Sequence, residues 1–215
     1  MSEIIRLDMN ADSIKYLCAK DKRLAKVISM VGTITYKPYD DSYRFLINTI
    51  IGQMLSNKVA DIISERLEKL CKGTINPNTI NNLSDDDIKS IGISKSKVSY
   101  IRNLTTEIEL GNTDLSEFPH LTDKEIINNL TSIRGIGSWT AKMYLLFVLN
   151  RQDILPYEDV AFLQGYDWVF KTNNNTPAAV IAKCKKWKPY SSIAARYLYH
   201  ALDNGLTKVD FHLYK

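Results

Sequence analysis

The sequence predicts an all-α fold, and three observations predict it. Apolar residues recur at helical spacing over most of the chain. Capping residues and glycine stops punctuate those runs. Only Thr33-Ile34-Thr35-Tyr36, between Gly32 and Pro38, favours a strand, and it is short and lacks an obvious partner. The 215 residues, 45% of them hydrophobic, suit one domain or two small lobes around a buried core and are too apolar for intrinsic disorder.

The elements follow in order. Asp40-Asp41-Ser42 offers caps before residues 43 to 70, where Phe45, Ile47, Ile50, Ile51, Leu55 and Val59 begin a helical repeat that continues to Leu70. Gly52 and Ser56 interrupt it, which predicts two helices. Residues 73 to 82 are polar, contain Pro77 and read as a connector. Ser84-Asp85-Asp86-Asp87 caps a short helix ending before Gly92, and Ser94-Lys95 starts another through Leu104. Leu121-Thr122-Asp123-Lys124-Glu125 caps a helix to Leu130, and residues 138 to 149 are strongly helical. Residues 171 to 177 are a polar loop, after which Pro189 opens a last helix through Ala201.

Composition excludes several classes. No apolar run approaches the roughly 20 residues that span a bilayer, and the first residues do not read as a signal peptide. The expectation is a soluble intracellular monomer without membrane contact, cytoplasmic and nucleoid-associated in a prokaryote or nuclear in a eukaryote. Three scattered cysteines (Cys18, Cys71, Cys184) argue against a disulfide framework, and three histidines against a His-built metal centre. Net charge is +4, but the part from Arg134 onward holds 11 Lys/Arg against 6 Asp/Glu. That asymmetry suits an acidic partner such as nucleic acid, and equally a solvated basic face.

The segment richest in chemistry is Leu130-Thr131-Ser132-Ile133-Arg134-Gly135-Ile136-Gly137-Ser138-Trp139-Thr140-Ala141. One helix ends, a Gly-x-Gly turn follows and another helix begins. Glycines there permit positive φ and close approach of a phosphate, toward which the new helix points free N–H groups and its positive dipole end. The plainer reading is an αα-turn with a glycine C-cap. Ile91-Gly92-Ile93-Ser94-Lys95 is a weak echo of the same pattern.

Downstream lies Leu155-Pro156-Tyr157-Glu158-Asp159-Val160, with Asp159 twenty positions beyond Trp139. Hairpin and aspartate together resemble the helix-hairpin-helix DNA glycosylases, and most closely the alkylation-repair branch, 3-methyladenine DNA glycosylase II. Ile50-Ile51-Gly52-Gln53-Met54-Leu55-Ser56, Gly92-Ile93-Ser94-Lys95-Ser96-Lys97 and Trp187-Lys188-Pro189-Tyr190-Ser191-Ser192-Ile193-Ala194-Ala195 agree with that branch. The likeness covers roughly residues 20 to 203. Among its departures, Arg134 replaces a proline common in the wider superfamily, and Ser138 replaces a proline frequent in the branch while still able to cap the helix. Trp139 stands where lyase-type relatives carry a catalytic lysine, which implies a monofunctional enzyme. The iron–sulfur cysteine cluster is absent from the motif, and the amino-terminal β-rich domain of some relatives is expected to be missing or reduced, because few residues precede Tyr43.

The resemblance implies a two-lobed fold with an active-site cleft, one lobe spanning 43–155 and the other joining 1–42 to 156–215. It implies hydrolysis of the N-glycosidic bond of alkylated purines in double-stranded DNA after base flipping. Asp159 is the candidate catalytic carboxylate, able to stabilise an oxocarbenium-like sugar and orient water, with a helix N-cap as its plainer role. Trp139, Tyr199, Tyr190 and Met143 are base-pocket candidates, because aromatic faces attract a base made cationic by alkylation. Met54 is the expected wedge in the DNA stack and Gln53 a contact to the orphaned base. Gly135, Gly137, Arg134, Ser138 and Lys142 are expected to meet the backbone. No cofactor is required, though the carbonyls of Thr131, Ile133 and Ile136 match positions where the family can hold a monovalent cation. The alternatives are a non-catalytic helix-hairpin-helix DNA-binding protein and a glycosylase for oxidised or deaminated bases.

Overall fold

The computed structural model describes residues 3–214. These form twelve α-helices and one two-stranded sheet. The chain divides into two compact units, one made of residues up to Pro38 with those from Asn150 onward, the other running from Tyr39 to Leu149. The division lies earlier than the expected boundaries at 42 and 155, and hydrogen bonds explain both shifts. Tyr39 N–H donates to Phe147 O (3.0 Å), tying the two ends of the second unit together. Residues 150 to 154 belong to the first unit: Tyr36 Oη–H donates to Asn150 Oδ1 (3.1 Å), Ser192 N–H to Gln152 O (2.9 Å) and Ile154 N–H to Ser192 Oγ (2.9 Å).

The first unit opens with β1 (Ile5–Leu7), α1 (Asp12–Lys20), α2 (Lys22–Val31) and β2 (Ile34–Tyr36). The strands pair antiparallel with Arg6 opposite Thr35. The strand-prone stretch therefore has a partner, which three residues of sequence carry too little alternation to advertise. Asp21 caps α2 through Arg23 N–H and is almost wholly buried. Its charge is met by Trp187 Nε1–H and Lys186 Nζ, each at 2.9 Å, as burying a carboxylate requires.

The second unit is α3 (Ser42–Gly52), α4 (Asn57–Leu70), α5 (Pro77–Asn81), α6 (Asp85–Ser90), α7 (Lys95–Glu109), α8 (Asp123–Ser132) and α9 (Ser138–Phe147). The break at Gly52 to Ser56 falls where the sequence placed it, whereas residues 73 to 82, expected as a connector, hold α5, nucleated by an Asn76–Thr79 capping box with Pro77 at its first position. Asp41 caps α3, while Ser84 with Asp87 and Thr122 with Glu125 form capping boxes on α6 and α8. Leu46, Ile47, Ile50, Leu67, Ile101, Leu104, Leu130 and Leu145 are fully buried and form the core of this unit. The first unit resumes with α10 (Val160–Phe170), α11 (Pro177–Cys184) and α12 (Ser191–Asp203). A Cβ on Gly165 of α10 would lie 2.9 Å from Leu198 Cβ and 3.3 Å from its carbonyl, so these helices touch backbone to backbone. That contact seats α10, and with it Asp159 at its start.

Candidate active site

The hairpin between α8 and α9 is a tight turn closed by Ile136 N–H on Ile133 O (3.0 Å). Ile133 and Ile136 are buried and anchor it, while Arg134, Gly137 and Ser138 are exposed. Gly135 has φ +107°, and a Cβ there would fall 2.2 Å from the Tyr100 ring, so only glycine fits. Gly137 corrects the expectation of two left-handed glycines: its φ of −100° is ordinary, and a Cβ would meet nothing within 4 Å. Its missing side chain leaves open space before the helix. Gly137, not Ser138, is the N-cap, and no side chain caps α9. The start of α9 thus carries the positive end of its dipole without a capping side chain from its N-cap residue.

Two side chains grip the hairpin from neighbouring helices. Asn103 Nδ2 donates to Arg134 O and Gln53 Nε2 to Gly135 O, both at 3.0 Å. Gln53 was expected on DNA; instead its amide nitrogen ties the α3–α4 turn to the hairpin. The next residue, Met54, has φ +58° and is fully exposed at 102% of its reference area. A left-handed methionine that buries nothing is costly by both strain and solvation, and it is not a core residue. Lys97 Nζ donates to Ile51 O (2.7 Å) and Gln53 O (2.6 Å), bracketing the same turn. Burial of its ammonium lowers the Lys97 pKa from the ordinary lysine range.

Trp139 and Met143, one helical turn apart on α9, line a concavity of about 490 Å³ with Tyr39, Phe45, Phe147 and Asn48. Aromatic rings form one part of the wall, and polar groups that include Asp41, Arg44 and Asp61 form the rest. Lys142, expected at a phosphate, is buried instead, because its position on α9 faces inward with Ala141 and Leu145.

In the other unit Asp159 is 8% exposed and caps α10, its Oδ1 accepting Phe162 N–H at 2.7 Å. The N-cap role considered for this residue is therefore the one the structure displays. Tyr199 lies beside it. Burial first, and the negative charge of Asp159 second, push the phenol pKa far up, so Tyr199 stays neutral. Tyr190 packs edge-on to Tyr16 at 5.4 Å just before α12. The described residues contain no cluster of three His, Cys, Asp or Glu able to hold a metal ion. No helix among them is long and apolar enough to cross a membrane.

The model of the HhH-GPD superfamily of base excision DNA repair proteins matches residues 47–189, which run from α3 through the hairpin and Asp159 to the approach of α12. The chain belongs to this superfamily. Among solved HhH-GPD proteins it is similar to the DNA-3-methyladenine glycosidase of Bacillus halodurans, at 30% identity and TM-score 0.82 over 94% of both chains. It is also similar to the Schizosaccharomyces pombe 3-methyladenine DNA glycosylase Mag1, solved in complex with abasic DNA. There the identity is 25% and the TM-score 0.81, over 90% of this chain and 97% of that one. YfjP of Bacillus subtilis, provisionally named a DNA-3-methyladenine glycosylase, is 30% identical over 169 residues. That match takes in 75% of this chain and spans 59% of YfjP.

Lys97, Asn103 and Tyr100 are the residues of this HhH-GPD site that sequence reasoning missed. Each acts on a backbone group far away in the chain, and nothing in local spacing signals that. Only the Gly92-to-Lys97 motif brought Lys97 into view, and without a role.

Proposed function

We propose that the protein is a monofunctional DNA glycosylase that hydrolyses the N-glycosidic bond of alkylated purines in duplex DNA. The observation that carries this reading is Asp159, a buried carboxylate fixed by its own helix. Breaking the glycosidic bond leaves positive charge on the sugar, and a pre-oriented anion in a low-dielectric site stabilises that charge while water completes the reaction. Likeness over nearly the full chain to two 3-methyladenine glycosylases, one holding abasic DNA, supports the substrate class and the duplex partner.

The other residues divide the work. The uncapped start of α9 takes a backbone phosphate through N–H groups, with exposed Arg134 and Ser138 beside it. Exposed Met54 enters the stack where the nucleotide leaves. Trp139 and Met143 offer an aromatic and polarisable wall to a cationic base, and Tyr199 adds a neutral phenol beside Asp159. With Trp139 at the lyase lysine position, α9 offers no amine there for a Schiff base. A monovalent cation, where the hairpin takes one, would sit on the carbonyls of Thr131, Ile133 and Ile136. The two side-chain bonds to the hairpin fall instead on Arg134 O and Gly135 O. The protein acts as a monomer.

Base release from a panel of duplexes carrying single lesions tests the reading, with alkylated purines expected to be released fastest. Asp159→Asn should lower single-turnover excision by about a hundredfold or more, the scale of a lost electrostatic catalyst, with duplex affinity nearly unchanged. Borohydride should trap no protein–DNA adduct. Wild-type turnover by Asp159→Asn would overturn the proposal, and a trapped adduct would overturn its monofunctional part.

A further inference from the structure

We propose that Lys97 is the positioning residue of the wedge, its ammonium holding the turn that presents Met54. The inference rests on the wedge reading of Met54 and adds what keeps that side chain out. A methionine at φ +58° with no burial has no local reason to stay there. Two contacts supply the reason. Lys97 Nζ spans Ile51 O and Gln53 O, the carbonyls on either side of Gly52, and so clamps the last turn of α3 to the residue before Met54. A cation at a helix C-terminus also meets the negative end of its dipole. Gln53 Nε2 then fastens the turn to Gly135 O, so the wedge and the phosphate-binding hairpin share one rigid support.

The origin of Lys97 explains its reach. It lies in the first turn of α7, directly after the Gly92 turn, where Ser94 Oγ accepts the Lys97 N–H at 3.4 Å. The second hairpin of this unit thus works inward, delivering a lysine to the wedge.

The test measures single-turnover excision of one alkylated purine, paired normally and mispaired, by Met54→Ala, Lys97→Met, Lys97→Arg and the double variant Met54→Ala/Lys97→Met. Fluorescence of 2-aminopurine beside the lesion reports unstacking. Lys97→Met should slow the normally paired substrate by about tenfold, the scale of a lost charge-assisted hydrogen bond, and should lower the 2-aminopurine signal. The mispaired substrate, cheaper to open, should change by about twofold or less. Lys97→Arg should restore most of the paired rate. The double variant should be no slower than the slower single, because both remove the same device. Equal slowing of both substrates, a uniform loss of affinity for all duplexes, or additivity in the double variant would overturn the role of Lys97. Lack of pair selectivity in Met54→Ala would instead overturn the wedge reading beneath it, so the two failures are distinguishable. Should Lys97→Met fail to fold, Lys97→Gln read on the same rate ratio decides.

Discussion

The second unit contains two turns of nearly the same design, and they do opposite things. In each, a glycine in the left-handed region (Gly92 at φ +102°, Gly135 at φ +107°) is followed by a buried isoleucine and then by the N-cap of a helix. The caps differ. Ser94 turns its hydroxyl onto the Lys97 N–H and satisfies its own helix, whereas Gly137 has no side chain and leaves the start of α9 open. The glycines differ too. A Cβ on Gly92 would find its nearest neighbours at an ordinary 3.8 Å, while one on Gly135 would run into Tyr100 at 2.2 Å. On the proposed reading, a common turn becomes a ligand site or a structural joint according to whether one residue caps the next helix.

The largest expected effect separates the two glycines. Gly135→Ala adds a clash to the positive-φ strain and should cost about 2–4 kcal/mol of stability, as overpacking plus backbone strain does. Gly92→Ala has strain alone and should cost about 1 kcal/mol. Urea denaturation midpoints measure both, and Gly135→Ala/Tyr100→Ala should recover part of the loss. Equal costs would mean that Tyr100 yields freely.

Next comes the open helix start. Gly137→Asp places a good N-cap and a negative charge where the phosphate should sit, so the fold should hold while affinity falls by about tenfold or more. Damaged and undamaged duplexes should weaken by similar factors, and the slope of log affinity against log salt should shrink by about one. Ser94→Asp should change affinity by about twofold or less. A loss confined to lesion-bearing DNA would break the comparison, because it would put the hairpin at the base instead of the backbone.

The smallest effect concerns the caps themselves. Ser94→Ala should cost about 1 kcal/mol of stability, whereas Ser94→Gly should cost only a few tenths, because glycine ranks well above alanine at an N-cap. A thermal melt of both variants decides whether Ser94 caps as the geometry states.

While α1, α2, α5, α10 and α11 emerged only in the structure, the sequence by itself determined seven of the twelve helices of the described residues (α3, α4, α6 to α9 and α12), the caps at Asp41, Ser84, Ser94 and Thr122, and the two glycine turns. Those features depend on neighbours three or four residues apart, and such spacing is visible in a linear text. It also put the hairpin, Trp139 and Asp159 in recognisable order. Tertiary structure decided the rest. It paired β1 with β2 across two intervening helices and turned Lys142 inward. It showed Asp159 capping α10 beside Tyr199, and it sent the Gln53 amide to a backbone carbonyl. It also drew Lys97 across to the end of α3. Each of these joins groups far apart in the chain, and each is chosen by which buried polar groups must find partners once the core has closed. Met54 shows the boundary most plainly. The resemblance marked it as a wedge, with a buried methionine as its plainer role, and only the fold, with its left-handed turn, leaves it standing in solvent.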